Sequence, residues 1–296
     1  MDSLIFASMP ASEVQALALV RSLHAFGGSL AQTPVWMFLP TGSEMISPAG
    51  QVTLESLGVR LIPFEVAPDI LAFPFGAKVI AAAAAEALAR DQAMRLAWMD
   101  SDTLIIQEPT AMLIPPGKQL GCCPVHHRLI GSLYDEPLDA FWSLIYERCE
   151  VPAAHVFPMQ SIVDAVIIRP YINAGLLVTR PETGLLRAWC DMFTSLYRDP
   201  ACESFYEQRS LYRVFIHQAV LAGTTLARLN PGELVEFPPT YNYPLHLYTQ
   251  HAPSLRPAAI NSLITCRYES VFSEPGWQET LPVTGHLKTW LETQFE

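Results

Sequence analysis

Two aspartates, Asp100 and Asp102, sit between apolar runs in the segment Leu96-Ala97-Trp98-Met99-Asp100-Ser101-Asp102-Thr103-Leu104-Ile105-Ile106. Carboxylates at the edge of a core are costly unless they are paired or bound to a cation. Acids alternating along an extended segment point to one side of it, so both reach a single ion. Hard divalent cations take oxygen ligands of this kind, and Mg²⁺ or Mn²⁺ so held bridges phosphates. The first expectation is therefore a metal-diphosphate site on Asp100 and Asp102.

Three other groupings could carry chemistry. Tyr171-Ile172-Asn173-Ala174-Gly175-Leu176-Leu177-Val178 offers an amide for hydroxyl recognition beside small residues that permit close backbone approach. Phe215-Ile216-His217-Gln218-Ala219-Val220-Leu221 puts an imidazole and an amide side by side on a helical segment. Cys122-Cys123-Pro124-Val125-His126-His127 gathers soft and imidazole donors, but no second half at metal-ligand spacing exists elsewhere, so zinc is disfavoured. The six cysteines form no C-x-x-C pair and are expected reduced and mostly buried.

The elements around these residues follow from periodicity. Leu4 to Met9 reads as a strand, Ala11 to Ala25 as a helix, Val35 to Leu39 as a strand, Leu54 to Leu57 as part of a short helix, and Val59 to Val66 as a strand. Phe75 to Arg90 is a helix running into the strand Leu96 to Met99. Such β-α-β alternation implies a mainly parallel sheet, with ligands bound outside the carboxyl ends of its strands, where the acid pair falls. Further on, strands are expected at Gln119 to Val125, Val163 to Ile168 and Ile172 to Thr179. Helices are expected at Leu138 to Glu150, Gly184 to Tyr197 and Tyr212 to Ala222. The Pro- and aromatic-rich tail from Pro231 should wrap the sheet. Residues 1–230 are thus read as one α/β domain, and 231–296 as an appendage packed on it.

Composition bounds the partners. Of 296 residues, half are hydrophobic and 16% are charged, which belongs to an ordered globular chain. A net charge of -11 argues against nucleic acid or an anionic membrane surface as the main partner. The longest apolar run, Val79 to Ala89, is broken by Glu86 and too short to span a bilayer. An acid follows the initiator Met where a secretion signal carries positive charge, so a cytoplasmic protein is expected.

The acid pair in its apolar frame, followed by the aromatic-x-Asn-Ala-Gly segment, resembles the GT-A fold nucleotide-sugar glycosyltransferases, nearest the glycogenin-like and bacterial lipopolysaccharide hexosyltransferases. The resemblance covers roughly residues 1 to 245. It implies a mainly parallel, mixed sheet flanked by helices. It also implies transfer of a hexose from a nucleotide-diphosphate sugar, expected to be a UDP-sugar, onto a sugar, lipid or protein acceptor, with Mn²⁺ or Mg²⁺ as cofactor. By the same resemblance Asp102 is a direct metal ligand, and Asp100 binds metal or ribose. Asn173 and Gln218 position the sugar while Ala174 and Gly175 approach the donor. Ala7 and Ser8 lie where the base and ribose are held, and Lys78 contacts phosphate or carboxylate. His217 replaces the acid that many relatives carry. His126 and His127 fall on the acceptor side. The family's C-terminal metal-ligating His has no clean counterpart, His246 being preferred over His286.

Two other readings compete. Asp100-Ser101-Asp102-Thr103 also fits the D-x-D-x-T signature of haloacid-dehalogenase phosphatases, with the first Asp as nucleophile, although no later acid pair supplies their magnesium site. A protein that keeps the fold and binds sugar nucleotides without turnover is the third.

Overall fold

A computed structural model describes residues 3–295. The first hundred residues alternate as expected: β1 (Ile5–Ser8), α1 (Glu13–Phe26), β2 (Val35–Pro40), α2 (Pro48–Ser56), β3 (Val59–Phe64), α3 (Pro68–Leu71), α4 (Gly76–Ala89) and β4 (Leu96–Met99). Then come β5 (Thr103–Ile105), β6 (Leu120–Pro124), α5 (Ala140–Cys149), β7 (Met159–Gln160), β8 (Ile167–Ile168) and β9 (Ile172–Thr179), followed by α6 (Leu185–Leu196), α7 (Pro200–Gln208) and α8 (Ser210–Arg228). The tail holds β10 (Leu234–Glu236), β11 (Tyr243–Pro244), β12 (Thr265–Arg267), α9 (Trp277–Thr280) and α10 (Gly285–Phe295).

Seven strands form the central sheet in the order β10-β6-β9-β4-β1-β2-β3. Strands β4, β1, β2 and β3 run parallel, as helical crossovers require, whereas β9 runs antiparallel between β4 and β6. The sheet is thus mixed and mainly parallel, with both faces covered. Every residue of β4 and β9 is buried, which fits their unbroken apolar runs.

Three helices stack behind the site and fix one another. Strand-covering α4 buries an alanine-rich face together with Glu86, whose carboxylate accepts from the Leu186 and Arg187 backbone N–H groups, both at 3.0 Å. That carboxylate supplies the cap that Gly184 cannot give to α6, since free N–H groups at a helix start favour an anion. From α6, the Trp189 indole donates to the His217 carbonyl at 2.8 Å and anchors α8.

The segment Val163 to Ile168 departs from the expected strand. Asp164 accepts from the Ser161 hydroxyl and from the Arg128 N–H, Ala165 takes a left-handed φ of 52°, and only Ile167 and Ile168 pair with β7. Local side-chain to backbone bonding has displaced the ladder there. Helix α7 has no sequence signal strong enough to predict it, and α8 begins before Tyr212 and continues beyond Ala222.

The tail is tied into the main body. Strand β10 extends the central sheet beside β6, and β12 lies between β11 and β5 in a small second sheet. Among the described residues, no helix is long and apolar enough to cross a membrane.

Candidate active site

Asp100 and Asp102 do not alternate along one extended strand. Chain direction reverses between β4 and β5 in a tight turn, closed by the Thr103 N–H donating to the Asp100 carbonyl at 3.1 Å. Ser101 pins the turn from the other side: its hydroxyl donates to Gln15 at 2.9 Å and accepts the Ala11 N–H at 3.1 Å, both at the start of α1. Convergence of the acids is produced by the turn and not by the strand period.

What they converge on is protein. Lys78 Nζ lies 2.6 Å from Asp100 Oδ1. Arg267 Nε donates to Asp102 Oδ1 at 3.1 Å and Nη2 to Oδ2 at 2.8 Å, a bidentate pair, while Nη2 also stands 3.5 Å from Asp100 Oδ2. Burial works against charge on Asp100, but Lys78 and Arg267 outweigh it and hold the carboxyl below its ordinary range. Burial likewise weakens the guanidinium, yet Asp100 and Asp102 push the net shift of Arg267 upward. On Lys78, burial prevails over the attraction of Asp100 and lowers the ammonium's pKa.

Backbone geometry dictates these meetings. Strand β12 pairs antiparallel with β5 so that Arg267 stands opposite Thr103, and the Tyr268 N–H donates to the Asp102 carbonyl at 3.0 Å. Gly175 of β9 leaves the space the cluster needs. A Cβ there would lie 2.8 Å from Asn173 Oδ1, 3.0 Å from Asp100 Oδ2 and 3.3 Å from Arg267 Cδ. Lys78 lies in the first turn of α4, three residues after the N-cap Phe75, whose φ of 59° is left-handed. A bulky residue in that region stores strain of a kind that gathers at functional sites. Its ring is 45% exposed, stacks on His217 with centroids 4.5 Å apart, and lies 5.4 Å from Lys78 Nζ.

Phe75, Lys78, Asp100 and Arg267 form a partition between two cavities. One cavity, of about 310 Å³, opens beside the end of β1 and is walled by Met9, Met45, Leu71, Phe73 and Trp98. The other, of about 150 Å³, is walled by Tyr171, Asn173, His217, Gln218 and the imidazoles of His126, His127 and His246. Asn173 and Gln218 both line it, and each amide oxygen takes a backbone N–H. Asn173 Oδ1 accepts the Gly175 N–H at 2.8 Å, and Gln218 Oε1 accepts the Ala174 N–H at 3.0 Å. His217 Nδ1 lies 3.0 Å from the Val214 carbonyl, an acceptor only, so Nδ1 carries the proton and Nε2 the lone pair. Burial, reinforced by the charge on Lys78, lowers its pKa to about 3, and the ring stays neutral.

The structure gathers most of the residues singled out in the sequence. Lys78, Asp100, Asp102, Asn173, Ala174, Gly175, His217 and Gln218 meet at the partition or border it. Ala7 and Ser8 do not reach either cavity: they are buried in β1, and Met9 borders the opening in their place. His246 borders the smaller cavity but turns its Nε2 to Glu269 at 3.2 Å. His286 packs its ring on Phe26, away from both cavities. Cys122 and Cys123 are buried free thiols of β6, both pushed up by burial, and join no metal donors.

A divalent cation finds no free donor set here. All four oxygens of Asp100 and Asp102 face a protein cation, and among the described residues no group of three or more His, Cys, Asp or Glu side chains converges as a metal site. These residues, as arranged, do not fit such an ion. Sequence reasoning misses Arg267 because nothing in Thr265-Cys266-Arg267-Tyr268-Glu269 marks it as a partner of residues 165 positions earlier.

A profile of the Rhodobacterales glycosyltransferase domain matches residues 4–223. The chain belongs to that glycosyltransferase family. No curated protein matches in sequence. Among solved structures, this glycosyltransferase is similar to an active-site mutant of LgtC, with 13% identity over 98% of this chain and 100% of that one, at a TM-score of 0.51. It is also similar to the apo bifunctional glycosyltransferase WbbM, with 12% identity over 90% of this chain and 45% of that one, at a TM-score of 0.50. Mouse xyloside xylosyltransferase 1 matches with 13% identity over 90% of this chain and 97% of its own, at a TM-score of 0.49. The family match makes the protein a transferase, and the likeness to the LgtC mutant and to WbbM gives it the GT-A fold. The phosphatase reading falls with that assignment.

Proposed function

We propose that this glycosyltransferase moves a hexose from a nucleotide-diphosphate sugar, a UDP-sugar in the first instance, to a hydroxyl of a sugar, lipid or protein acceptor in the cytoplasm. The partition carries the reading: a cluster of two cations and two anions stands between an apolar cavity suited to a nucleoside and a smaller polar cavity suited to a sugar ring. A diphosphate joining the two ligands would cross at Lys78 and Arg267. Six free cysteines suit a reducing compartment.

In this reading the anomeric carbon-oxygen bond breaks and its electron pair stays on the diphosphate oxygen. A new bond forms from the acceptor oxygen to the anomeric carbon, and the acceptor proton must leave. His217 is too weak a base at a pKa of about 3 to take that proton at neutral pH. It serves instead as a hydrogen-bond acceptor for a sugar hydroxyl, with Asn173 and Gln218 as amide donors to the same ring. The departing diphosphate, which gains charge as the bond breaks, is the stronger base and takes the proton. Ala174 and Gly175 allow the close approach. Residues 1–230 supply both cavities' main walls, and 231–296 add Arg267 and His246.

The test is to incubate the full chain with a panel of UDP- and GDP-sugars and measure nucleoside diphosphate release and labelled product, with Asp102→Ala as control. Release from at least one donor, lost in the variant, is the expected result. Full activity in the variant overturns the reading.

A further inference from the structure

Catalysis at a leaving diphosphate needs positive charge where negative charge develops. Here the charge is already built in. Arg267 is held by a bidentate pair with Asp102, and Lys78 by Asp100, so that each carboxylate oxygen is engaged by a protein cation. A divalent ion requires carboxylate oxygens at about 2 to 2.5 Å, and could reach these only by expelling the guanidinium. Expulsion would strand a buried cation, a costly arrangement. The backbone also holds Arg267 in place, through the β12–β5 register and the Tyr268 to Asp102 hydrogen bond. Gly175 supplies the room beside its Cδ.

The guanidinium retains capacity for a ligand. Nε and Nη2 are spent on the aspartates, while Nη1 makes no hydrogen bond or ion pair with any described residue. Arg267 borders both cavities, as does Lys78. A planar fork locked on one side by a carboxylate and open on the other is a phosphate-binding geometry.

We propose that Arg267, oriented by Asp102 and assisted by Lys78, is the resident cation of this site and receives the donor's diphosphate in place of a bridging divalent ion. The inference rests on the proposed function, since it concerns the diphosphate of the same donor. In the transfer step Arg267 Nη1 and Lys78 Nζ hold the phosphate oxygens as the carbon-oxygen bond breaks. No further co-reactant is needed. Asp100 and Asp102 become positioning residues for the two cations and are not metal ligands.

The experiment uses the full chain, stripped with EDTA. Mn²⁺ binding is followed by electron paramagnetic resonance, and UDP and GDP binding by calorimetry in EDTA and in about 1 mM Mn²⁺, an excess over any site of micromolar affinity. The expected results are no stoichiometric Mn²⁺ binding to the wild type and a nucleoside diphosphate affinity that changes less than about twofold between buffers. Arg267→Ala should weaken that affinity at least about tenfold, about 1.4 kcal/mol, with partial recovery in Arg267→Lys. Stoichiometric Mn²⁺ binding by the wild type, with UDP bound only in its presence, overturns this inference and leaves the proposed function standing. Wild-type affinity in a folded Arg267→Ala protein does the same. Failure of both UDP and GDP to bind in either buffer overturns the proposed function, and this inference with it. The wild-type arms need no variant, so misfolding of Arg267→Ala cannot obscure the result.

Discussion

The two cavities share a wall and differ in nearly everything else. The larger is lined by methionine and aromatic side chains from the β-α-β half, close in sequence and legible as apolar strand and helix ends. The smaller is lined by amides and imidazoles drawn from the segment after β6, from β9, α8 and the tail, and every buried imidazole in it is driven toward the neutral form. One side offers surface for a flat apolar group, the other a set of neutral donors and acceptors for hydroxyls. Charge is concentrated at the partition, where Lys78, Arg267, Asp100 and Asp102 offset one another in a buried space, with Glu269 a further carboxylate on the smaller cavity's wall.

Breaking the partition should have the largest effect. Asp102→Ala leaves Arg267 without its bidentate partner, which is expected to cost about 3 to 5 kcal/mol of stability along with transfer activity. Chemical denaturation beside a donor-release assay checks both, and a variant that melts like the wild type would show the pair to be dispensable. Gly175→Ala should act through the same wall: the added methyl meets Asn173, Asp100 and Arg267, at an expected cost of about 1 to 3 kcal/mol. An unchanged denaturation midpoint and unchanged turnover would break the claim that the cluster is tightly fitted.

The polar cavity can be probed by pH. Folded His217 resists protonation until about pH 3, whereas in the unfolded chain it takes a proton near the ordinary imidazole value of 6.5. Between those values the unfolded state holds more protons, so this contribution to stability is complete above pH 6.5 and is lost as the pH falls. From about pH 7 to about pH 5 the loss attributable to this one ring is about 2 kcal/mol. His217→Gln should flatten the acid limb of the stability curve by that amount, and an identical limb would assign the acid sensitivity elsewhere. The smallest effect is expected on the apolar side. Leu71→Ala removes an exposed side chain that lines the larger cavity and not the smaller, and should weaken UDP binding by about 1 kcal/mol, measured by calorimetry, with little change in His217-dependent acid stability. Equal damage to both would mean that the cavities are not separable.

Periodicity makes the frame readable from the residues alone. The alternation from Leu4 to Met99 implies parallel strands because apolar runs bounded by turn residues have few other ways to bury themselves. Asn173, Ala174 and Gly175 stand out because small residues inside a buried strand need a reason, and the cleft provides one. Lys78 is marked as well, though its ion pair with Asp100 is not. The hydrogen bonds of Ser161 and Asp164 defeat the strand reading because side-chain competition for backbone groups leaves apolar periodicity untouched.

The sequence by itself determined that two carboxylates end an apolar strand in a β-α-β half and that Asn-Ala-Gly follows, and from these the glycosyltransferase fold could be reached. Only the tertiary structure decided what neutralises those carboxylates. Arg267 arrives through an antiparallel pairing of β12 with β5 that joins residues far apart in the chain, and no local pattern records such a register. A carboxylate's type and neighbours declare that it needs a counter-charge. Which charge it receives is settled by the strand that folds beside it.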